Sequence, residues 1–213
     1  MTSNLLDFEE SFSKYLSNDL SQKQDYYQEK VSFIETIFKT INISISLNPP
    51  LLMNFNYTGG GANGFEEINV HGMLNTKVVI GYDSTTETIK TDDIFGLSKE
   101  WRKMEIDLGF NINEIGIGSI ICYGHSLGEQ DYPYFFELFD SCDLLGKECL
   151  VPLFFCYSRF GDKEKQRIEL EKYKMNAAKL LNAYERYKHP EIQRNTIVTK
   201  LKTQRRLYFK EIK

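Results

Sequence analysis

Two nearly uninterrupted apolar runs, residues 115–123 and 150–157, each leading into a helix-patterned stretch, constrain this chain more than any other feature. Apolar runs without polar alternation suit strands covered on both faces, as in a parallel sheet. After the first run, Asp131 is placed to cap a helix that turns Tyr134, Phe135, Leu138 and Phe139 inward, with Pro133 tolerated in its first turn. After the second, a long helix over residues 163–187 aligns Leu170, Tyr173, Ala177, Leu180, Leu181 and Tyr184 on one face. Strand and helix patterns that alternate in this way predict an α/β fold with a mostly parallel sheet.

The N-terminal stretch predicts two helices. Leu5, Phe8, Phe12, Leu16 and Leu20 form one core-facing stripe, and Tyr27, Val31, Ile34, Phe38 and Ile41 form another. Residues 43–47 alternate like a short strand that Pro49 and Pro50 stop, and residues 51–57 read as the first central strand. A glycine-rich loop over residues 58–64 and a short strand over residues 77–80 follow. At 213 residues the chain allows one large domain, or one domain with an appendage.

Charge divides the chain unevenly. Residues 161–213 hold 15 of the 26 Lys and Arg but 7 of the 30 Asp and Glu, a net +8, which leaves 11 basic and 23 acidic residues, a net −12, before them. We therefore expect an acidic α/β domain over residues 1–160 and a basic, mainly helical appendage over residues 161–213 packed on it or on another copy. The overall charge of −4 argues against a dedicated nucleic-acid binder. The apolar runs fall well short of the ~20 residues a membrane-spanning helix needs. Met1-Thr2-Ser3-Asn4 has neither the basic nor the apolar stretch of a signal peptide, so a cytoplasmic location is expected. Cys122, Cys142, Cys149 and Cys156 form no CxxC pair and match no zinc spacing, so buried thiols are expected and no metal.

Three constellations could carry chemistry. Gly59, Gly61 and Gly64 spell G-x-G-x-x-G after a predicted strand, but the residues after Gly64 leave no room for the helix whose N-terminus would face a pyrophosphate. Gly124-His125-Ser126-Leu127-Gly128 matches the nucleophile elbow G-x-S-x-G and points to a serine hydrolase using Ser126. Against this, Pro133 would break an elbow helix in its second turn. The third is the set of polar residues at strand ends: Asn54 and Asn56, then His71, then Gly124, His125, Ser126 and Asp131. Carboxyl ends of parallel strands converge on ligand crevices, so one shared cleft is expected for Asn56, His71 and Ser126.

The order N-F-N-Y-T, H-G and G-H-S-L-G-x-x-D-Y-P-Y-F resembles the AbiH-type abortive-infection proteins with which bacteria resist bacteriophage. That family in turn looks distantly like the sirtuins. The resemblance runs from about Leu5 to the C-terminus, and residues 124–135 are its most specific part. It implies a partial sirtuin-like, Rossmann-type sheet flanked by helices, helical N- and C-terminal segments, and NAD or a related nucleotide as substrate. By the same resemblance Asn56 would orient a water near the nicotinamide-bearing ribose carbon. His71 would act as base toward a ribose hydroxyl, and Gly124 and Ser126 would hold the ribose. Asp131 could bond a sugar hydroxyl. Members of that family open with a strand and a G-N-G-F-D turn that binds phosphate, whereas this sequence opens directly on Leu5–Leu20. A second copy or a partner chain could complete the sheet, and a non-enzymatic sensor or toxin subunit triggered by the phage is the remaining alternative.

Overall fold

The computed structural model describes residues 2–23, 25–43, 50–59, 64–74, 77–79, 116–159, 161–191 and 196–213. The chain divides into two compact units, Met1–Phe38 with Ile43–Phe110, and Lys39–Asn42 with Asn111–Lys213. The basic segment is thus built into the second unit. Among the described residues the strands form three small sheets rather than one, in a mixed α/β arrangement with helices beside the parallel sheets.

The first unit opens with α1 (Thr2–Ser21) and α2 (Tyr26–Ile41). The stripe expected on α1 is rotated: Phe8 is 56 % exposed while Glu9 is buried, so the covered face runs through Leu5, Glu9, Phe12, Ser13 and Leu16. Ser13 explains part of this turn, because its hydroxyl donates to the Leu74 carbonyl at 2.8 Å, and Phe12 meets the Tyr57 ring edge-on at 5.6 Å. On α2, Tyr26 hydrogen-bonds Thr58 and Phe38 stacks on Phe65.

Strand β1 (Leu51–Asn54) pairs in parallel with β2 (Glu66–Asn69), with Leu51 opposite Glu66 and Asn54 opposite Asn69. β1 stops three residues before the expected Tyr57. The cause is local: the Asn54 side-chain oxygen accepts the Asn56 N–H at 2.9 Å, an Asx turn that takes the backbone out of extended pairing. β3 (Gly72–Met73) and β4 (Lys77–Val78) form a short antiparallel pair. The strand expected over residues 43–47, and residues 60–63 of the glycine-rich loop, lie outside the described residues, apart from Ile43.

The second unit is a β-α-β-α-α-β run. Its parallel sheet has the order β5 (Ile120–Tyr123), β6 (Leu153–Ser158), β7 (Leu207–Ile212), with Ile120 and Leu207 both opposite Leu153. A 3₁₀ turn, Glu129–Asp131, leads into α3 (Tyr132–Ser141). α4 (Lys163–Lys188) and α5 (Ile197–Thr203) lie between β6 and β7. β6 begins at Leu153 rather than Leu150, which is 82 % exposed, because Pro152 has no N–H to give the ladder; its carbonyl still accepts from Ile120. The strand β7 closes a segment that reads as helical in sequence.

The core of this unit matches the periodic stripes. Ala177, Leu180, Leu181 and Tyr184 of α4 are buried with Phe139 of α3, Phe155 of β6, and Ile197 and Leu201 of α5. Tyr184 meets Phe139 edge-on at 5.1 Å, and Phe155 stacks on Phe209 at 5.5 Å. α4 starts where Asp162 accepts the Lys165 N–H at 2.8 Å, an N-cap. On α3 the inward set is Tyr132, Phe135 and Phe139, with Tyr134 only half-buried.

Burial raises the Cys122 thiol to about 12 and the Cys156 thiol to about 11, from an ordinary 9.0. The unfolded chain therefore releases these protons first. Stability is fully present below about pH 9 and is lost as pH rises toward those raised values, by at most about 1.4 kcal/mol per pH unit for each group. Urea midpoints measured from about pH 8 to about pH 11 should fall steadily, and Cys122→Ala should flatten the fall. A midpoint that does not move with pH would contradict the burial argument.

Among the described residues no helix is long and apolar enough to cross a membrane.

Candidate functional site

In the first unit, the polar residues gather where the parallel strands β1 and β2 end. Asn54 is buried, and its amide donates to Glu67 Oε1 at 2.8 Å and to Asn69 Oδ1 at 3.2 Å. Glu67 Oε1 also takes the Lys30 ammonium from α2 at 2.9 Å, an ion pair whose side chains are mostly covered. Gly59 packs so closely on Asn69 that a Cβ would fall 1.9 Å from its Oδ1, so a larger residue there would displace the Asn69 side chain from Asn54.

This network fixes the backbone of one of the two residues expected to act. Asn54 lies opposite Asn69, and Asn56 and His71 each follow two residues beyond that last pair. The backbone of Asn56 is anchored through its N–H on Asn54, and its side chain faces solvent. His71 is 7 % exposed, between Phe55 at 5.8 Å edge-on and Tyr57 at 6.3 Å. Its carbonyl accepts from Val79, and Gly72 turns with φ +82° directly after it. The result is an exposed amide and a buried imidazole on neighbouring strand ends. Asn54 belongs to the strand-end set read from sequence; Lys30, Glu67 and Asn69 are additions to it, and nothing in their spacing signalled them.

The same unit carries an open groove of about 670 Å³ along α1, lined by residues that include Glu9, Ser13, Lys14, Leu74 and Val78. Neither Asn56 nor His71 lines it. The strand ends are the stronger candidate because an exposed amide and a buried titratable ring each follow closely on the last β1–β2 pair.

In the second unit, β5 ends at Tyr123, whose hydroxyl shares a 2.9 Å hydrogen bond with Ser158 at the matching end of β6. Gly124 turns the chain with φ +66° and has open space where a side chain would be. Ser126 is exposed, and its carbonyl accepts from Asn176 of α4 at 3.0 Å. His125 is tied down. Its Nδ1 accepts the Leu127 N–H at 2.9 Å, so the neutral ring carries its proton on Nε2, which faces Asp131 Oδ2 at 3.2 Å.

These contacts correct two expectations. Asp131 occupies the N-cap position of α3 but makes no side-chain cap; its buried carboxylate faces His125 Nε2 instead. No helix starts at Ser126, since α3 begins at Tyr132. This departs from a nucleophile elbow. The sequence expectation of one cleft joins Asn56 and His71 of the first unit to Ser126 of the second, and each group is described within its own unit.

Among the described residues no cluster of three metal-ligating side chains occurs. Comparison with protein-family models, with curated proteins and with solved structures returned no match to this chain.

Proposed function

We propose that this chain is an AbiH-like, distantly sirtuin-related protein of bacterial defence against phage that hydrolyses the nicotinamide–ribose bond of NAD or a related nucleotide. One observation carries the reading: Asn56 and His71 each follow two residues after Asn54 and Asn69, the last pair of the parallel strands β1 and β2. An amide that faces solvent suits a group that orients water. A histidine held between aromatic rings suits a base kept away from bulk solvent. NAD already contains a good leaving group, so the protein has mainly to position water and accept a proton. Hydrolysis adds water across the glycosidic bond and yields nicotinamide, ADP-ribose and a proton. Gly124 and Ser126 enter only through the resemblance, as the loop that would hold the ribose. The lack of a helix starting at Ser126 makes the serine-hydrolase reading the weaker one.

The test is direct. Purified full-length chain incubated with NAD should release free nicotinamide, followed by chromatography, at a rate proportional to protein concentration. If neither NAD nor another N-ribosyl nucleotide is cleaved, the reading falls.

A further inference from the structure

The turn between α3 and β6 places two thiols beside a buried cation. Arg206, at the entrance to β7, is 3 % exposed. Its guanidinium donates to the Val151 carbonyl at 3.0 Å, Gln204 Oε1 at 3.0 Å, the Leu144 carbonyl at 3.1 Å and the Cys149 sulfur at 2.9 Å. Every one of these acceptors is neutral, and among the described residues no carboxylate pairs with Arg206. A buried guanidinium is ordinarily balanced by an anion. Cys149 is the one member of the set with a nucleophilic atom, and the guanidinium N–H on its sulfur is the contact that would steady the charge formed when it attacks.

The second thiol is near. Cys142 lies within side-chain hydrogen-bonding reach of Cys149 and donates to the Phe139 carbonyl at 3.4 Å. Both are free and half-buried, whereas Cys122 and Cys156 are buried in the sheet. Burial, with Cys149 beside it, pushes the Cys142 thiol up to about 12 against the opposing pull of Arg206. Cys142 therefore stays protonated, which leaves the first attack to Cys149.

We propose that Cys149 and Cys142 form a peroxide-responsive dithiol, with Cys149 as the attacking sulfur, Cys142 as the resolving one, and Arg206 as the residue that positions Cys149. In the first step the Cys149 sulfur attacks one oxygen of hydrogen peroxide. The O–O bond breaks, a sulfenic acid forms, and the departing hydroxide takes the proton that Cys149 gave up. In the second step Cys142 attacks the Cys149 sulfur. The S–S bond forms, the S–O bond breaks, and that hydroxide takes the Cys142 proton. Two thiols lose two electrons, one peroxide gains them, and two waters result. The bond closes the turn that Arg206 grips at Leu144 and that Lys200 of α5 grips at the Leu145 carbonyl, 2.6 Å away. Oxidation thereby braces the joint between α3, α5 and the sheet.

The experiment treats the reduced full-length chain with hydrogen peroxide, blocks remaining thiols with N-ethylmaleimide after denaturation, and maps the peptides by mass spectrometry. A Cys142–Cys149 disulfide that dithiothreitol reverses, with Cys122 and Cys156 still alkylated, is the expected result. In Cys142→Ser, dimedone should mark Cys149 as a sulfenic acid. In Cys149→Ser, Cys142 should be marked about tenfold more slowly or not at all. The proposal is overturned if Cys142 and Cys149 both remain alkylated, if Cys142 is the sulfur marked first, or if Cys122 and Cys156 oxidise before them.

Discussion

A His71→Ala chain is expected to release nicotinamide from NAD about 10²- to 10⁴-fold more slowly than the unaltered chain, the range for removal of a general base. The loss should fall on kcat with KM little changed, because a base acts as the bond breaks rather than as the substrate binds. Asn56→Ala should cost less, since other water contacts partly replace a neutral amide, and should leave folding intact because Asn56 faces solvent. His71 is buried between Phe55 and Tyr57, so its removal also leaves a cavity. His71→Gln fills most of that space and separates the two effects. A His71→Gln chain that folds and still releases nicotinamide at the full rate would exclude His71 as base.

Replacing Glu67 by alanine is expected to lower the stability of the first unit by about 3 kcal/mol, because it leaves the Lys30 ammonium and the Asn54 amide without their shared acceptor. The change also removes the shorter of the two contacts that hold the Asn54 amide, and Asn54 holds the Asn56 backbone. Nicotinamide release should therefore fall with stability, even though Glu67 lies outside the proposed chemistry. The double change Lys30→Met with Glu67→Leu should cost less than the sum of the single changes, since it removes both charges at once. Urea unfolding of the unaltered chain, Glu67→Ala, Lys30→Met, Glu67→Leu and the double variant provides the measurement. A cost below about 1 kcal/mol for Glu67→Ala would place the pair with exposed salt bridges and remove the argument that it anchors the strand ends.

The helices of this protein were legible because their signal is periodic and repeated. A stripe such as Ala177, Leu180, Leu181 and Tyr184 is written several times over and survives local error. Strand ends are different, because each depends on a single contact. Asn54 turns its side chain onto the Asn56 N–H and stops β1 early, and Pro152 delays β6. β7 went unread because Leu207-Tyr208-Phe209-Lys210-Glu211-Ile212 has no strict alternation, and its pairing partner, β6, lies far back in the chain.

The candidate residues divide in the same way. Asn56 and His71 stood out by residue type and by their place in or shortly after the predicted strand over residues 51–57, but the ion pair of Lys30 and Glu67 joins a helix to a strand and leaves no spacing to read. Asp131 looked like a cap because sequence shows what precedes a helix, not what lies across a loop, where His125 takes its carboxylate.

From sequence alone came the helices, the buried strands and their parallel arrangement, since burial and period act over whole segments and average over many residues. Tertiary structure alone decided the division into two units, the face that α1 covers, the pairing of β7 and the partners of Asp131, Glu67 and Arg206. Each of these depends on one contact between residues distant in the chain, and hydrogen bonds and ion pairs are short-ranged enough that only the folded geometry selects them.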